Sequence, residues 1–193
     1  MTNSGPQLSE ILEIAQLNLA LPLLGLRPDE VNRQVTEAIN PISWIVGHCA
    51  AHQDRVFSRW FAVDRLIPAP LSDVFSTGVA KREIVAQLPL PFRAIVDAYE
   101  SICARSLTLL RDADGDRLSR PVDPATSFRE DLMTSVTCVS LHYMGHAGQI
   151  YTLRALLGNP ARTAFVSGVG HRDRTTAWSK WRSWWSDHGK EFA

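Results

Sequence analysis

Residues 132–157 read LMTSVTCVSLHYMGHAGQIYTLRALL, and their apolar side chains recur at steps of four and three. That period is typical of a long helix that packs against other helices along one face. The predicted core-facing positions are Leu132, Val136, Val139, Tyr143, His146, Ile150, Leu153 and Leu157. This pattern places His146 inside the core-facing seam and His142 on its flank.

Signals at both ends of the stretch predict where this helix begins and ends. Ser127-Phe-Arg-Glu130 has the pattern of a capping box, in which the two side chains satisfy free backbone N–H groups. Gly158-Asn-Pro160 supplies a left-handed stop, followed by a residue that cannot continue a helix. We therefore expect both histidines in the middle of the helix, where the backbone is rigid.

The two histidines allow two interpretations. His142 and His146 are four residues apart, so their rings lie one turn apart on one face and can reach a single ion. Alternatively they are core histidines with hydrogen-bond partners, because an unpaired buried polar group costs on the order of 1 to 3 kcal/mol. The pair by itself leaves both interpretations open.

A second predicted helix runs from Pro41 to about Ala62, with Asn40 as its N-cap. His48 and His52 interrupt the apolar face of this helix. Histidines on two helices of a bundle can approach an ion from different directions. The second helix therefore favours the metal interpretation.

The remaining helices are predicted from apolar periodicity and prolines. The first helix follows Ser9 and is kinked or shortened by Pro22, and the third begins near Pro91. A short helix is also predicted over residues 81–88.

The connection between the second and third helices is long and is marked by Pro68 and Pro70. Such a connection suits two parallel neighbours joined by a crossover. No stretch alternates with a period of two for long enough to predict a sheet. The predicted fold is therefore all-α, a four-helix bundle with a crossover connection.

Residues 161–193 are predicted to extend a bundle domain that spans residues 1–160. Residues 163–174 contain glycines and are predicted to be irregular, after which Trp178, Trp181 and Trp185 recur at helical spacing. Indole rings in such a stripe are costly to leave in water. We expect the Trp-rich extension to pack on the bundle, with a homodimer surface as the alternative.

Composition excludes several classes of function. Lysine plus arginine number 20 and aspartate plus glutamate number 20, so no bulk positive charge favours nucleic-acid binding. No stretch approaches the roughly eighteen apolar residues of a membrane span, and no signal-peptide pattern is present. The three cysteines lack CxxC spacing, which indicates a reducing compartment, and Cys138 is predicted to be a core residue. We expect a cytoplasmic protein.

Two segments resemble the signature regions of the DinB-like family: SWIVGHCAAHQD at 43–54 and HYMGHAGQIYTLRALLG at 142–158. That family comprises four-helix bundles and includes thiol-dependent enzymes such as mycothiol-dependent maleylpyruvate isomerase and bacillithiol transferases. The resemblance implies a zinc or nickel ion held by His48, His142 and His146. His52 stands where relatives often carry an acidic residue, and the tail after residue 160 has no counterpart.

Three neutral nitrogen ligands would leave a coordination position open, as in catalytic zinc sites. The resemblance then implies a low-molecular-weight thiol, delivered as thiolate for transfer to, or isomerisation of, a small electrophile. His52, Tyr143 and Gln149 are the nearby polar groups that can assist. Each can instead have a purely structural role: His52 as a residue that positions a ligand, Tyr143 as a packing residue and Gln149 as a buried hydrogen-bond donor. Imidazole also suits iron, so the residues alone do not name the metal.

Two other functions use the same ion. A metal-dependent hydrolase would activate water in place of thiol, but the sequence contains no unambiguous carboxylate base for it, and Asp54 is the candidate adjacent in sequence. A non-catalytic stress-response module would retain the metal for stability alone.

Overall fold

The computed structural model describes residues 5–76, 88, 90–119, 130–163 and 170–193. The α-helices in these ranges are α1 (Gly5–Ala20), α2 (Ile42–Phe61), α3 (Ala69–Val74), α4 (Phe92–Arg111), α5 (Gly115–Ser119), α6 (Leu132–Leu156) and α7 (His171–His188). Short 3-10 turns lie at Leu21–Leu23, Pro28–Glu30 and Gly189–Phe192. The described ranges contain no β-strand, in agreement with the all-α prediction.

Helices α1, α2, α4 and α6 form the predicted four-helix bundle. The main contacts join α1 to α4 and α6, and α2 to the same two helices, so α1 and α2 lie at opposite corners. The Gln53 amide of α2 donates to the Ile102 carbonyl of α4, and Arg117, just beyond α4, donates to the Trp60 carbonyl near the end of α2. Later residues of α2 thus contact later residues at α4 and just beyond it. The two helices are therefore parallel neighbours joined by a crossover, as predicted.

The ends of α2 differ slightly from prediction. Pro41, with φ −71° and ψ 165°, is the N-cap, one residue later than the predicted Asn40. Ala62 ends the helix in the left-handed region, with φ 52°. Helix α1 is already formed at Gly5, so Ser9 lies inside it, and its hydroxyl donates to the Pro6 carbonyl.

The other helix ends are close to their predicted positions. Pro22 lies in the 3-10 turn that ends α1, and α4 begins directly after Pro91. Of the short helix predicted over residues 81–88, all but residue 88 lie outside the described residues.

Helix α6 begins later than the predicted capping box. Asp131 is its N-cap, and its carboxylate accepts the Thr134 N–H at 2.7 Å. Ser127, the predicted cap, lies outside the described residues. Gly158 has φ 78°, so the left-handed stop after α6 is confirmed.

The core-facing seam of α6 follows the predicted residues except around the histidines. Tyr143 and Ile150 are fully buried, but Ala147 occupies the core position between them and His146 is only half-buried. The prediction that His146 lies inside the seam was therefore wrong, because the seam steps four residues from Tyr143 to Ala147. Cys138 is exposed, so its predicted place in the core was also wrong.

The Trp-rich extension packs against the edge of the bundle formed by α1 and α4. Trp181 is fully buried, and its indole N–H donates to Glu100 at 2.7 Å. The Trp185 N–H donates to Asp97 at 3.0 Å. Helix α7 begins at His171, so the last residues of the segment predicted to be irregular are helical, while residues 164–169 lie outside the described ranges. The boundary at residue 160 stays a prediction.

Among the helices that the structure describes, none combines the length and the apolar character needed to cross a membrane.

Candidate metal centre

Three imidazoles meet where α2 packs on α6, at the edge of the bundle opposite α1 and α4. The His142 Nε2 atom lies 3.0 Å from the Nε2 atom of His48 and 3.0 Å from that of His146. One ligand nitrogen from each ring lies within 4.8 Å of the other two. Two donors at about 2.1 Å from one tetrahedral zinc ion lie about 3.4 Å apart, so these spacings are close to those of a shared ion.

The antiparallel packing of α2 and α6 brings these residues together. The Tyr143 hydroxyl donates to the Cys49 carbonyl, and the Trp60 indole of α2 donates to Ser135, about two turns before Tyr143 in α6. Later residues of α2 therefore contact earlier residues of α6, so the two helices are antiparallel. This register sets His48 beside the one-turn pair of α6, although the three residues span almost a hundred positions of sequence.

The tautomers of the rings fit a cation. A carbonyl oxygen can only accept, so the His48 Nδ1–H donates to the Phe75 carbonyl at 2.6 Å. His146 donates its Nδ1–H in the same way to the Gln149 side-chain oxygen at 2.8 Å. Both neutral rings then present an Nε2 lone pair, and the single proton of His142 can satisfy only one of them. A metal ion would accept all three lone pairs.

Burial keeps the rings in the form that binds metal. Desolvation lowers the pKa of His48 and His146, and lowers the pKa of His142 to about 3, with further contributions from His52 and the other rings. Histidine ligates metal as the neutral imidazole. The cluster is therefore neutral and ready to bind a cation at pH 7.

The centre is buried on the α2 side and partly exposed on the α6 side. His48 is 5% exposed, whereas His142 and His146 are half-buried and the neighbouring Gly145 is exposed. An ion held by the three rings would thus be accessible to a small molecule from outside.

The segment around α3 holds the His48 ring in place. Trp44, one turn earlier, stacks on that ring with centroids 4.6 Å apart and planes 9° apart. The Trp44 N–H donates to the Val74 carbonyl, next to the Phe75 carbonyl that accepts from His48. A Cβ added at Gly47 would lie 2.2 Å from the Phe75 ring, so only glycine allows this close approach.

The three predicted assisting residues have different surroundings. Gln149 is exposed and accepts from His146, so its interpretation as a buried donor was wrong. Tyr143 is fully buried, and its ring centroid lies 6.2 Å from that of Tyr99. Its hydroxyl donates a hydrogen bond to the Cys49 carbonyl, as expected for a packing residue.

His52 lies beside the three converging nitrogens. Its ring centroid is 4.5 Å from that of His142 and 6.4 Å from that of His48, but its nitrogens are outside the group that can share an ion. Desolvation, followed by the positive charge of Arg55, lowers its pKa to about 4.

Asp54 has a structural role. Its buried carboxylate accepts the backbone N–H groups of Leu66 and Ile67 at 3.2 and 2.9 Å and is paired with Arg105. These contacts fix the turn after α2. They leave the carboxylate engaged within the protein.

Four residues that surround the centre were not predicted from sequence: Trp44, Gly47, Arg55 and Phe75. Spacing could have indicated two, since Trp44 and Arg55 lie four residues before and seven after His48 on one helical face. A glycine inside a helix often signals close approach, which applies to Gly47. Nothing in the pattern around Phe75 indicates that its carbonyl orients a distant ring.

Comparisons with known proteins identify a similar family and a similar fold. The family model for mycothiol-S-transferase matches residues 7–158, a range that includes the three converging histidines. A solved structure of a conserved protein from Enterococcus faecalis is similar to this chain, with a TM-score of 0.67 and 18% identity over 82% of this chain and 99% of that chain. At that identity the likeness shows the bundle fold alone. A comparison with curated proteins gave no match. The DinB-like resemblance is confirmed, and the chain belongs to the mycothiol-S-transferase family, which is DinB-like.

Proposed function

We propose that this protein is a metal-dependent thiol S-transferase in which His48, His142 and His146 hold a divalent ion, zinc or nickel. Its substrates would be a low-molecular-weight thiol and a small electrophile. The observation that carries the proposal is the convergence of three Nε2 atoms, with 3.0 Å between neighbours, at an accessible edge of the bundle.

The chain's own residues would prepare the site for this reaction. The Phe75 carbonyl and the Gln149 side-chain oxygen accept hydrogen bonds from the Nδ1–H groups of His48 and His146. The Nε2 lone pairs of both rings are then free for an ion. A divalent ion supplies Lewis-acid chemistry that makes a bound thiol acidic enough to react as thiolate at neutral pH. The thiol sulfur then forms a bond to the electrophilic carbon, the leaving group departs with its bonding pair, and the thiol proton goes to solvent.

Two observations weigh against the alternatives. A hydrolase needs a base near the ion, and the Asp54 carboxylate is engaged by two backbone N–H groups and Arg105. A purely structural metal would be expected to be enclosed by its surroundings, whereas His142 and His146 are half-buried at an edge. Isomerisation of an electrophile after thiol addition remains the nearest alternative, since it uses the same thiolate.

Removal and return of the metal tests the proposal. Native protein would be analysed for metal, treated with a chelator, and assayed with monobromobimane and a panel of thiols that includes mycothiol, bacillithiol and glutathione. We expect transfer with at least one thiol, its loss on chelation, and its recovery when one equivalent of zinc or nickel is returned.

A melting curve recorded before and after chelation is the companion measurement. We expect the bundle to stay folded without metal, because its core is packed independently of the three rings. Full transferase activity without metal would refute the proposal. Unfolding on chelation, with no transfer by the native protein, would favour the non-catalytic module.

A further inference from the structure

Arg55 lies on the same face of α2 as the metal-binding and assisting histidines. His48, His52 and Arg55 are at positions i, i+4 and i+7, which place them along one side of a helix. Side chains in a helix lean toward its N-terminus, which favours a position of the Arg55 guanidinium over the turn of His52. Its positive charge contributes to the lowered pKa of His48, His52 and His142. The shared helical face, together with this electrostatic effect, indicates that Arg55 belongs to the surroundings of the site.

Arg55 is unusual among the arginines that are buried or half-buried in the described part of the chain. Arg105 pairs with Asp54, Arg174 with Glu10 and Glu13, and the Arg154 guanidinium donates to backbone carbonyls. Arg55 is half-buried, yet it has neither a hydrogen bond nor an ion pair with any residue in the described part of the chain.

An unpaired, half-buried cation is costly, and a metal ion nearby would add repulsion between like charges. A ligand that brings a negative charge would remove both costs. The guanidinium has five donors in a planar fork that matches a carboxylate in a bidentate pair.

We infer that Arg55 binds a carboxylate carried by a substrate at the metal centre and so determines specificity for anionic substrates. This inference rests on the proposed function and names the substrate class. Seven residues of helix separate His48 from Arg55 by about 10 Å along the axis, and the backward lean of the arginine shortens that distance. A molecule of a few carbons can therefore present its reacting atom to the histidines and its carboxylate to Arg55.

The carboxylate can come from the thiol or from the electrophile, and two matched pairs of substrates distinguish these sources. N-acetylcysteine and its amide differ only in the charge of the thiol, and iodoacetate and iodoacetamide differ only in that of the electrophile. In each reaction a sulfur–carbon bond forms and iodide leaves with its bonding pair. The enzyme is used in its zinc-loaded form, and the uncatalysed rate is subtracted.

We expect Arg55→Gln to lower kcat/KM about tenfold to a hundredfold for the carboxylate member of one pair, and to change the amide member by no more than about twofold. The pair that responds identifies the source. Arg55→Lys should recover part of the loss, because it keeps the charge without the fork. Arg59→Gln removes an exposed arginine one turn further along α2 and should change neither pair.

Equal effects of Arg55→Gln on carboxylate and amide in both pairs, or no effect on any, would overturn the inference. A loss of zinc from the variant would also overturn it, because Arg55 would then act on the metal site itself. Should the native protein transfer no thiol, the proposed function fails first, and calorimetric titration of zinc-loaded protein with succinate or succinamide becomes the test. Binding of succinate that Arg55→Gln abolishes would support the inference, and equal or absent binding of the two would refute it.

Discussion

Polar groups at the two opposite edges of the bundle differ in whether the protein satisfies their hydrogen bonds. At the edge between α1 and α4, the buried indoles of Trp181 and Trp185 each donate to a carboxylate of α4. At the edge between α2 and α6, three Nε2 atoms face one another, and the His142 Nδ1 atom is buried without a partner among the described residues. The indole groups are hydrogen-bonded within the protein, whereas the three Nε2 atoms share too few protons to satisfy one another, and an ion would accept their lone pairs.

The aromatic residues at the two edges follow the same distinction. The tryptophans of α7 bury large rings and cover the α1 and α4 edge, so most of their value is stability. Trp44 stacks on a single histidine at the other edge and fixes its orientation. Substitutions at the two edges should therefore separate stability from metal binding.

The largest effect is expected from His146→Ala. Removing one of three nitrogens leaves two ligands, which are too few to hold a divalent ion at stoichiometric level. The side chain is half-buried and its Nδ1 partner Gln149 is exposed, so the bundle should remain folded. Elemental analysis of purified protein, together with its circular dichroism spectrum, measures both outcomes.

His188→Ala is the matched control for this variant. His188 is exposed on α7, pairs with Glu191 at 3.0 Å and lies beside the Trp184 ring, far along the chain from the three rings. It should keep the native metal content. Full occupancy in His146→Ala would remove this residue from the ligand set and break the contrast between the edges.

Trp181→Ala should produce the opposite result, a large loss of stability with the metal retained. Trp181 is fully buried, and truncation of a buried tryptophan costs about 3–5 kcal/mol of the free energy of unfolding. The loss of the hydrogen bond to Glu100 is included in that cost. Chemical denaturation measures the change, and metal content measured under native conditions should be unchanged.

Trp184→Ala provides the comparison on the same helix, because Trp184 is only half-buried. It should destabilise the protein by clearly less than Trp181→Ala. Equal effects of the two substitutions would contradict the conclusion that the buried Trp181 ring carries most of the stability contributed by α7. A loss of metal from Trp181→Ala would show that the two edges are coupled.

The fold could be predicted from sequence because its signals are local. The period of apolar residues defined α6, Pro91 marked the start of α4, and Gly158 marked the end of α6. Errors at the helix starts arose where two neighbouring residues can both act as a cap, as at Asn40 and Pro41.

The candidate site was less predictable, because its details depend on contacts between distant segments. Helical spacing predicts that His142 and His146 share a face. It also predicts that His146 lies in the core, whereas the next residue, Ala147, occupies that core position. The acceptor for His48 is the Phe75 carbonyl, 27 residues away. No local pattern specifies that a backbone oxygen in a connecting segment will meet a particular ring.

The smallest of these effects is expected from Gly47→Ala, which tests the contact between α3 and α2. The new Cβ would lie 2.2 Å from the Phe75 ring, so the ring must move. If its displacement carries the Phe75 carbonyl away from His48, metal affinity should fall about tenfold to a hundredfold, as is typical when the hydrogen-bond partner of a ligating histidine is lost. Competition with a chromogenic chelator measures that affinity.

Two further variants decide whether the cause is the clash. Gly148→Ala makes the same change inside α6, where an added Cβ meets nothing within 4 Å, and it should leave metal affinity unchanged. In the double variant Gly47→Ala, Phe75→Ala the ring is absent, so the backbone can return to the position in which its carbonyl accepts from His48. Recovery of affinity in the double variant would show that the ring contact positions the carbonyl. Native affinity in Gly47→Ala alone would instead mean that the ring moves without its carbonyl, and that the tight contact serves only the packing of α3.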